Sequence, residues 1–289
     1  MSDYVIITDT SADIPADVLD KGQIKLIPMV YQLNGEECPH RNPGNWDSKA
    51  FYDKLRAGGT GSTSQISPAT YTEYFEPFLK EGKDILYISL SGGLTSTWQS
   101  SHIAATDLQE AYPERRIFCI DSLAATGGQG ILVILAAKNQ EKGMSLEENA
   151  AWLEENRLHI CHWFTVDDLD FLKRGGRISP TIAWIGGKLK IKPILRIVED
   201  GTLAIPEKVR GSKAAMNTIV SKYISSGINE EYPYVFICHG DATEQAQKEK
   251  EAILEAVPQA QVTIMPMSPI IGIHTGPGVQ AVIYFGNNR

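Results

Sequence analysis

The sequence predicts two α/β domains: a mainly parallel, Rossmann-like sheet in residues 1–155 and a mixed sheet in residues 156–289. Three observations lead there. The chain has 289 residues, a length that suits two domains better than one. Through the first half, short β-branched apolar runs alternate with helical patterns, the rhythm of βαβ units whose parallel sheet is covered on both faces. The second half carries a hairpin signal, which adds an antiparallel element.

The elements follow in order. "YVIIT" (4–8) is a strand that ends on "DTSADIP", a turn and helix-start composition. "IKLIPMVYQL" (24–33) reads as one second strand. "WDSKAFYDKLRAGG" (46–59) sets Trp46, Phe51 and Leu55 near helical spacing and stops at Gly58. In "SPATYTEYFEPFLKEG" (67–82), Ser67 caps a helix, Pro68 suits its first turn and Gly82 ends it. Strand "DILYISL" (84–90), a helix from Thr97 to Ala111, strand "RIFCIDS" (116–122) and helix "GGQGILVILAAKNQEKG" (127–143) come next. The Glu-rich helix "SLEENAAWLEENRLHI" (145–160) marks the passage between domains. Beyond it, "ILRIVEDGTLAI" (194–205) places two apolar runs around Asp200-Gly201, a hairpin. "YVFICHGD" (234–241), a helix over 243–257 and "QVTIMPM" (261–267) form a strand-helix-strand unit, and "VQAVIYFG" (279–286) is a further strand. There is no internal repeat or low-complexity tract.

Composition bounds the function. Hydrophobic residues make up 43% of the chain, yet no apolar run approaches the ~18–20 residues of a membrane span. The longest, "GILVILAAK", ends at Lys138. "MSDYVIITDT" lacks the basic region of a signal peptide, so a soluble, cytoplasmic protein is expected. Cys38, Cys119, Cys161 and Cys238 lie far apart without a CxxC pair, which argues against a zinc site or disulfide framework. The net charge of −8 is opposite to that of a non-specific nucleic-acid binder.

The sequence holds no G-x-G-x-x-G after the first strand, no G-x-x-x-x-G-K-[ST], no H-E-x-x-H and no G-x-S-x-G, so nucleotide cofactors and the commonest hydrolase route lose support. His159 and His162 flank Cys161 at a spacing that ligates metals on a helix. The stretch reads as a strand, where those positions face opposite ways, and structural roles are expected.

Three segments are dense in glycine and small hydroxyl residues: "GGTGSTSQISP" (58–68), "SLSGGLTSTWQSS" (89–101) and "GIHTGPGVQAVIYFG" (272–286). The first ends at a helix start and the second runs into a helix near Ser96. Helix starts offer unpaired N–H groups to an anion. Thr63, Ser64, Thr95 and Thr97 add hydroxyls. Either loop alone is explained by helix capping. Together with His274, set in a Gly-rich loop before a strand, they read as a receptor for a carboxylate or phosphate at the carboxyl ends of strands. His274 then donates to that anion or supplies a proton beside it, the alternative being a structural hydrogen bond.

"FLKRGGRISPTIAWIGGKLKIKPILRIV" (171–198) contains no Asp or Glu. It carries Lys173, Arg174, Arg177, Lys188, Lys190, Lys192 and Arg196, and Lys208, Arg210 and Lys213 extend it. Basic heads beside Phe171, Trp184 and aliphatic residues suit an amphiphilic anion, a transient membrane-surface contact or an acidic partner, as against a solvated basic face. Nucleic acid is not expected, since no aromatic stacking platform is present.

Taken in order, "TDTSADIP", "STSQISPATY", "LTSTWQS", "DDLDFLKRGGRIS", "KPIL" followed by "DGTL" and "KVRG", and "GIHTGPG" resemble the DegV family over nearly the whole chain. The resemblance implies a long-chain fatty acid held between two α/β domains, with no other cofactor. It implies a binding subunit rather than an enzyme, one that presents the acyl carboxylate to a separate ATP-dependent fatty acid kinase. It further implies that the carboxylate meets Thr63, Ser64, Thr95, the Ser96 amide and His274, with Arg177 as a further contact, and that Arg210 engages the kinase. Family members often read Leu-Ser-Gly-Thr-Tyr where this chain has Leu94-Thr95-Ser96-Thr97-Trp98. Threonine keeps the hydroxyl, whereas Ser96 and Trp98 alter the loop and the fit of the tail. Two other readings use the same residues: a lipid-responsive regulatory protein, and an acyl hydrolase or transferase using Ser64 or Thr95 with His274. The last lacks a nucleophile elbow and any orienting acid beyond Asp9.

Overall fold

A computed structural model describes residues 4–41, 43, 44, 46–179, 191–226, 229–287 and 289. Trp184, Lys188 and Lys190 of the basic stretch lie outside these residues.

The N-terminal sheet is four-stranded and parallel. It contains β1 (Tyr4–Asp9), β2 (Ile24–Ile27), β6 (Asp84–Ser89) and β7 (Ile117–Asp121), in the order β2-β1-β6-β7. The helices of this half are α1 (Ala16–Leu19), α2 (Ser48–Arg56), α3 (Pro68–Lys80), α4 (Thr97–Ala111), α5 (Gly127–Glu141) and α6 (Leu146–Asn156). Ser67 caps α3 as expected, its hydroxyl accepting from the Thr70 N–H at 3.1 Å. The 155/156 division falls in the last turn of α6.

The expected single strand over 24–33 is two strands. Pro28 has no N–H to continue the ladder, and the chain leaves the parallel sheet there. β3 (Met29–Leu33) instead joins β4 (Glu36–His40) and β5 (Gly61–Ser64) in a three-stranded antiparallel sheet, order β4-β3-β5. The hydroxyl-rich segment 58–68 is therefore not all loop, because Thr63 and Ser64 sit on β5, opposite Tyr31 and Val30.

The C-terminal half comprises β8 (Ile160–Thr165), α7 (Asp170–Arg174), β9 (Ile191–Ile197), β10 (Leu203–Arg210), α8 (Ser212–Ser225), β11 (Tyr234–His239), α9 (Thr243–Ala256), β12 (Gln261–Pro266), α10 (Pro269–Thr275) and β13 (Gln280–Phe285). Its sheet is mixed, in the order β10-β9-β8-β13-β11-β12. The hairpin at Asp200-Gly201 joins β9 to β10, and β11 pairs parallel with β12.

The period of two along a strand sorts side chains onto two faces. On β13, Val282 and Tyr284 pack with Ile219, Val220 and Ile253 of α8 and α9, while Ala281, Ile283 and Phe285 face the other way into the largest core. That core is shared by both sheets through α5, which packs on β1 and β6 and on β8, β11 and β13. The helix is buried from Gly127 to Ala137, as a run apolar on every side requires. Each fully enclosed Ile or Leu there stabilises the fold by about 1.5–3 kcal/mol.

Candidate functional site

A cavity of about 480 Å³ lies among α10, the segments that lead into α4 and α5, β5 and the C-terminal sheet. Thr63, Ser64, Thr95, Ser96, Arg177 and His274 all line it. The rest of the lining is mostly apolar and includes Leu90, Leu94, Phe164, Leu172, Ile270, Ile271 and Ile283.

His274 is not in a loop. It occupies the last turn of α10, which Pro269 opens and Gly276, at φ 78°, ends. Ile270, Ile271, His274 and Thr275 all reach the cavity from this helix. The i, i+4 pairs Ile270–His274 and Ile271–Thr275 share a helical face, a signal masked by the neighbouring glycines. The His274 Nε2 lies 2.8 Å from Thr63 Oγ1. Enclosure and the positive charge of Arg177 hold the imidazole down to about 3, so the ring is neutral. On its other side, a Cβ at Gly175 would sit 2.4 Å from Nδ1, so only glycine leaves room for the ring.

Arg177 follows α7 and turns inward. Its Nε donates to the Leu94 carbonyl at 3.2 Å and its Nη1 to the Gly175 carbonyl. Burial lowers its pKa, and among the described residues no carboxylate pairs with it. Other members of the basic stretch do meet acids: Lys173 with Asp170 (3.9 Å), Lys192 with Asp167 (2.5 Å) and Arg196 with Glu199 (2.9 Å). A half-buried cation without a counter-charge is costly unless an anion joins it.

The Leu94 carbonyl held by Arg177 leads directly into the start of α4. Thr95 Oγ1 accepts from the Thr97 N–H at 3.3 Å and lies 2.8 Å from Thr97 Oγ1. Ser96 is the N-cap residue, and its hydroxyl caps nothing. The polar groups thus form one connected end: Thr63 to His274, His274 against Gly175, Gly175 to Arg177, and Arg177 to the 94–96 loop. Ser64 is exposed and still contributes to the lining.

Arg210 is elsewhere, exposed at the end of the edge strand β10 and outside the cavity. Trp98 is not part of the lining either. It lies in the first turn of α4, where its Nε1 donates to the Cys119 carbonyl at 3.0 Å and its ring stacks on His102. Asp9 does not orient His274. It accepts from the Ser11 N–H (3.0 Å) and the Tyr87 hydroxyl (2.8 Å).

Only His162 lies on the expected strand: β8 starts at Ile160, and His159 ends a short 3-10 turn before it, so the two histidines separate without sharing a strand. His159 stacks on Phe285 at 5.4 Å, while His162 is buried with Nε2 at the Ala125 backbone and lines the cavity. Burial pulls His162 down to about 3. Sequence reasoning missed His162 and Thr126 as lining residues, since nothing local marks them. Among the described residues, no group of three or more His, Cys, Asp or Glu side chains is placed to hold a metal ion. Nor is any described helix long and apolar enough to cross a membrane.

Fold and cavity define an α/β protein built around one largely apolar chamber with a cationic, hydroxyl-rich end. The chain belongs to the DegV family, described as uncharacterised proteins, whose profile matches residues 3–287. A DegV domain-containing protein of Clostridium perfringens is 38% identical over 289 residues, covering 100% of this chain and 99% of that protein. The crystal structure of a fatty acid binding DegV family protein from Streptococcus agalactiae matches with a TM-score of 0.88 at 26% identity, covering 100% of both chains. The Streptococcus pneumoniae Fatty Acid Kinase B3 protein, loaded with linoleic acid, has a TM-score of 0.84 at 24% identity over 99% of this chain and 100% of that one. At that identity the likeness is one of fold.

Proposed function

We propose that the protein binds a long-chain fatty acid between its halves, 1–155 and 156–289, and presents the carboxylate to a separate ATP-dependent fatty acid kinase in the cytoplasm. The observation that carries this reading is Arg177: a largely enclosed guanidinium, without a carboxylate partner among the described residues, at the polar end of an apolar cavity. A fatty acid supplies both the missing charge and an apolar body for the chamber. The S. agalactiae relative, a fatty acid binding protein of the same family, supports the ligand class.

In this reading the carboxylate receives hydrogen bonds from the hydroxyls of Thr63, Ser64 and Thr95, from the Ser96 amide at the start of α4, and from Arg177. Neutral His274 donates through Nε2 when its proton is there. The phosphoryl donor and its metal belong to the partner, and this chain's task is to bind, orient and shield. The hydrolase alternative finds little support, because His274 meets Thr63 rather than Ser64 or Thr95. The kinase assignment is supported by the motif resemblance and by Arg210, an exposed cation outside the cavity and free to meet an acidic partner.

The test is mass spectrometry of an organic extract of natively purified protein, followed by acyl phosphate assay with a fatty acid kinase and ATP. A stoichiometric fatty acid, and product only when kinase and ATP are both present, is the expected result. Arg210→Ala should keep the ligand and lose most product. An empty extract with no uptake of added palmitate overturns the reading, as does acyl ester turnover by the chain alone.

A further inference from the structure

Asp13 lies in the "DTSADIP" turn after β1, 4% exposed and outside the cavity lining. Its carboxylate accepts from the Thr126 hydroxyl and from the Ser268 N–H at 3.1 Å. Tyr52 of α2 is fully buried and donates its hydroxyl to the Met267 carbonyl at 2.9 Å. The Met267 carbonyl and the Ser268 N–H belong to one peptide unit. Two side chains from residues 1–155 therefore hold both polar groups of a single peptide in the other half.

That peptide launches α10. Ser268 is its N-cap residue and makes no side-chain cap of its own, so the Asp13 carboxylate serves that end of the helix. His274 sits six positions further on. The second Asp13 contact also reaches the cavity: Thr126, which lines it, starts α5 at φ 50°, a left-handed backbone that a threonine rarely adopts. The chain at Asp13 is itself wedged, since a Cβ at Gly130 of α5 would meet the Asp13 carbonyl at 2.2 Å.

We propose that Asp13 and Tyr52 are positioning residues, which clamp the Met267–Ser268 peptide and so aim α10 to bring His274 to Thr63. The inference rests on the reading of His274 as a head-group contact. Neither clamp residue lines the cavity. Each acts through the direction of a seven-residue helix.

Tyr52→Phe removes one hydroxyl and keeps the ring; Asp13→Asn keeps the shape and replaces one carboxyl oxygen by an amide that cannot accept. The readouts are the His274 imidazole NMR resonances in ligand-free protein and the Kd for palmitate by calorimetry. Both variants should shift the His274 resonances, and Tyr52→Phe should weaken palmitate binding by up to about five- to tenfold, the worth of the Thr63–His274 hydrogen bond that it misaligns. In a Thr63→Val background the same substitution should cost far less, because the contact it aims at is gone. Unmoved His274 resonances in a folded Tyr52→Phe protein overturn the clamp, even if thermal stability falls. If the wild-type chain takes up no palmitate, the fatty acid reading fails, and the ligand-free resonances still decide the clamp.

Discussion

His274 and Thr63 stand 211 positions apart and share a hydrogen bond of 2.8 Å. One comes from the three-stranded sheet and the other from a short helix of the opposite half. Their meeting closes the polar end of the cavity. Thr63→Val, which keeps shape and removes the hydroxyl, should weaken palmitate binding by about 1 kcal/mol or a little more. His274→Ala should weaken it further. Calorimetry with both variants checks this, and unchanged affinity in each would return the pair to a structural role.

Arg177 should show opposite effects in the empty and loaded protein. Arg177→Met removes a poorly solvated charge, so the ligand-free variant should unfold no earlier than wild type. With palmitate the order should reverse, because the variant gains less from the ligand. Thermal unfolding with and without palmitate reads both signs in one experiment.

Gly175 adopts φ −71°, a backbone that alanine shares, so Gly175→Ala carries no conformational penalty. The added methyl instead meets the His274 ring. Because the methyl has to displace an enclosed ring, folding stability should fall by about 1–3 kcal/mol and fatty acid affinity several-fold. Unchanged affinity would show that binding does not depend on the place of His274.

Glu249 of α9 is 0% exposed and neither carboxylate oxygen has a hydrogen-bond partner among the described residues. Burial raises its pKa to about 8. In the unfolded chain it titrates near the ordinary value of 4.5. Between those values the folded state holds a proton that the unfolded state has lost, so the contribution of Glu249 to stability is fully present below about 4.5 and is lost as pH rises toward 8. Glu249→Gln should flatten that decline, with a gain of a few kcal/mol at most near pH 8 on a scale of about 1.4 kcal/mol per unit. Denaturant unfolding of both proteins at pH 5 and pH 8 checks it. An equal difference at the two pH values would exclude proton linkage.

Much of the architecture was legible because local chemistry decides it. The β-branched runs became strands, Ser67 capped α3, and Asp200-Gly201 turned a hairpin. Two departures from the sequence pattern have local causes. Pro28 breaks a run that is otherwise continuous, and the flanking glycines of "GIHTGPG" hid the last turn of a helix. The candidate residues were readable as hydroxyls and a histidine near helix starts. Their convergence was not, since a 211-residue separation leaves no trace in spacing. His162, Thr126 and the Asp13 clamp depend on packing between halves, which no single segment encodes.

The place of β13 has a consequence for how the molecule comes into being. It pairs with β8 on one side and β11 on the other, yet it follows both in the chain. During synthesis, which proceeds from the N-terminus, β10-β9-β8 and β11-β12 must wait as two separate pieces with open edges. α10 emerges immediately before the strand that joins them. A nascent chain therefore carries Thr63, Thr95 and Arg177 long before it has His274 or a finished sheet to hold it. The six-stranded sheet becomes continuous only when β13 is inserted, so any nascent chain that stops short of it exposes the facing edges of β8 and β11.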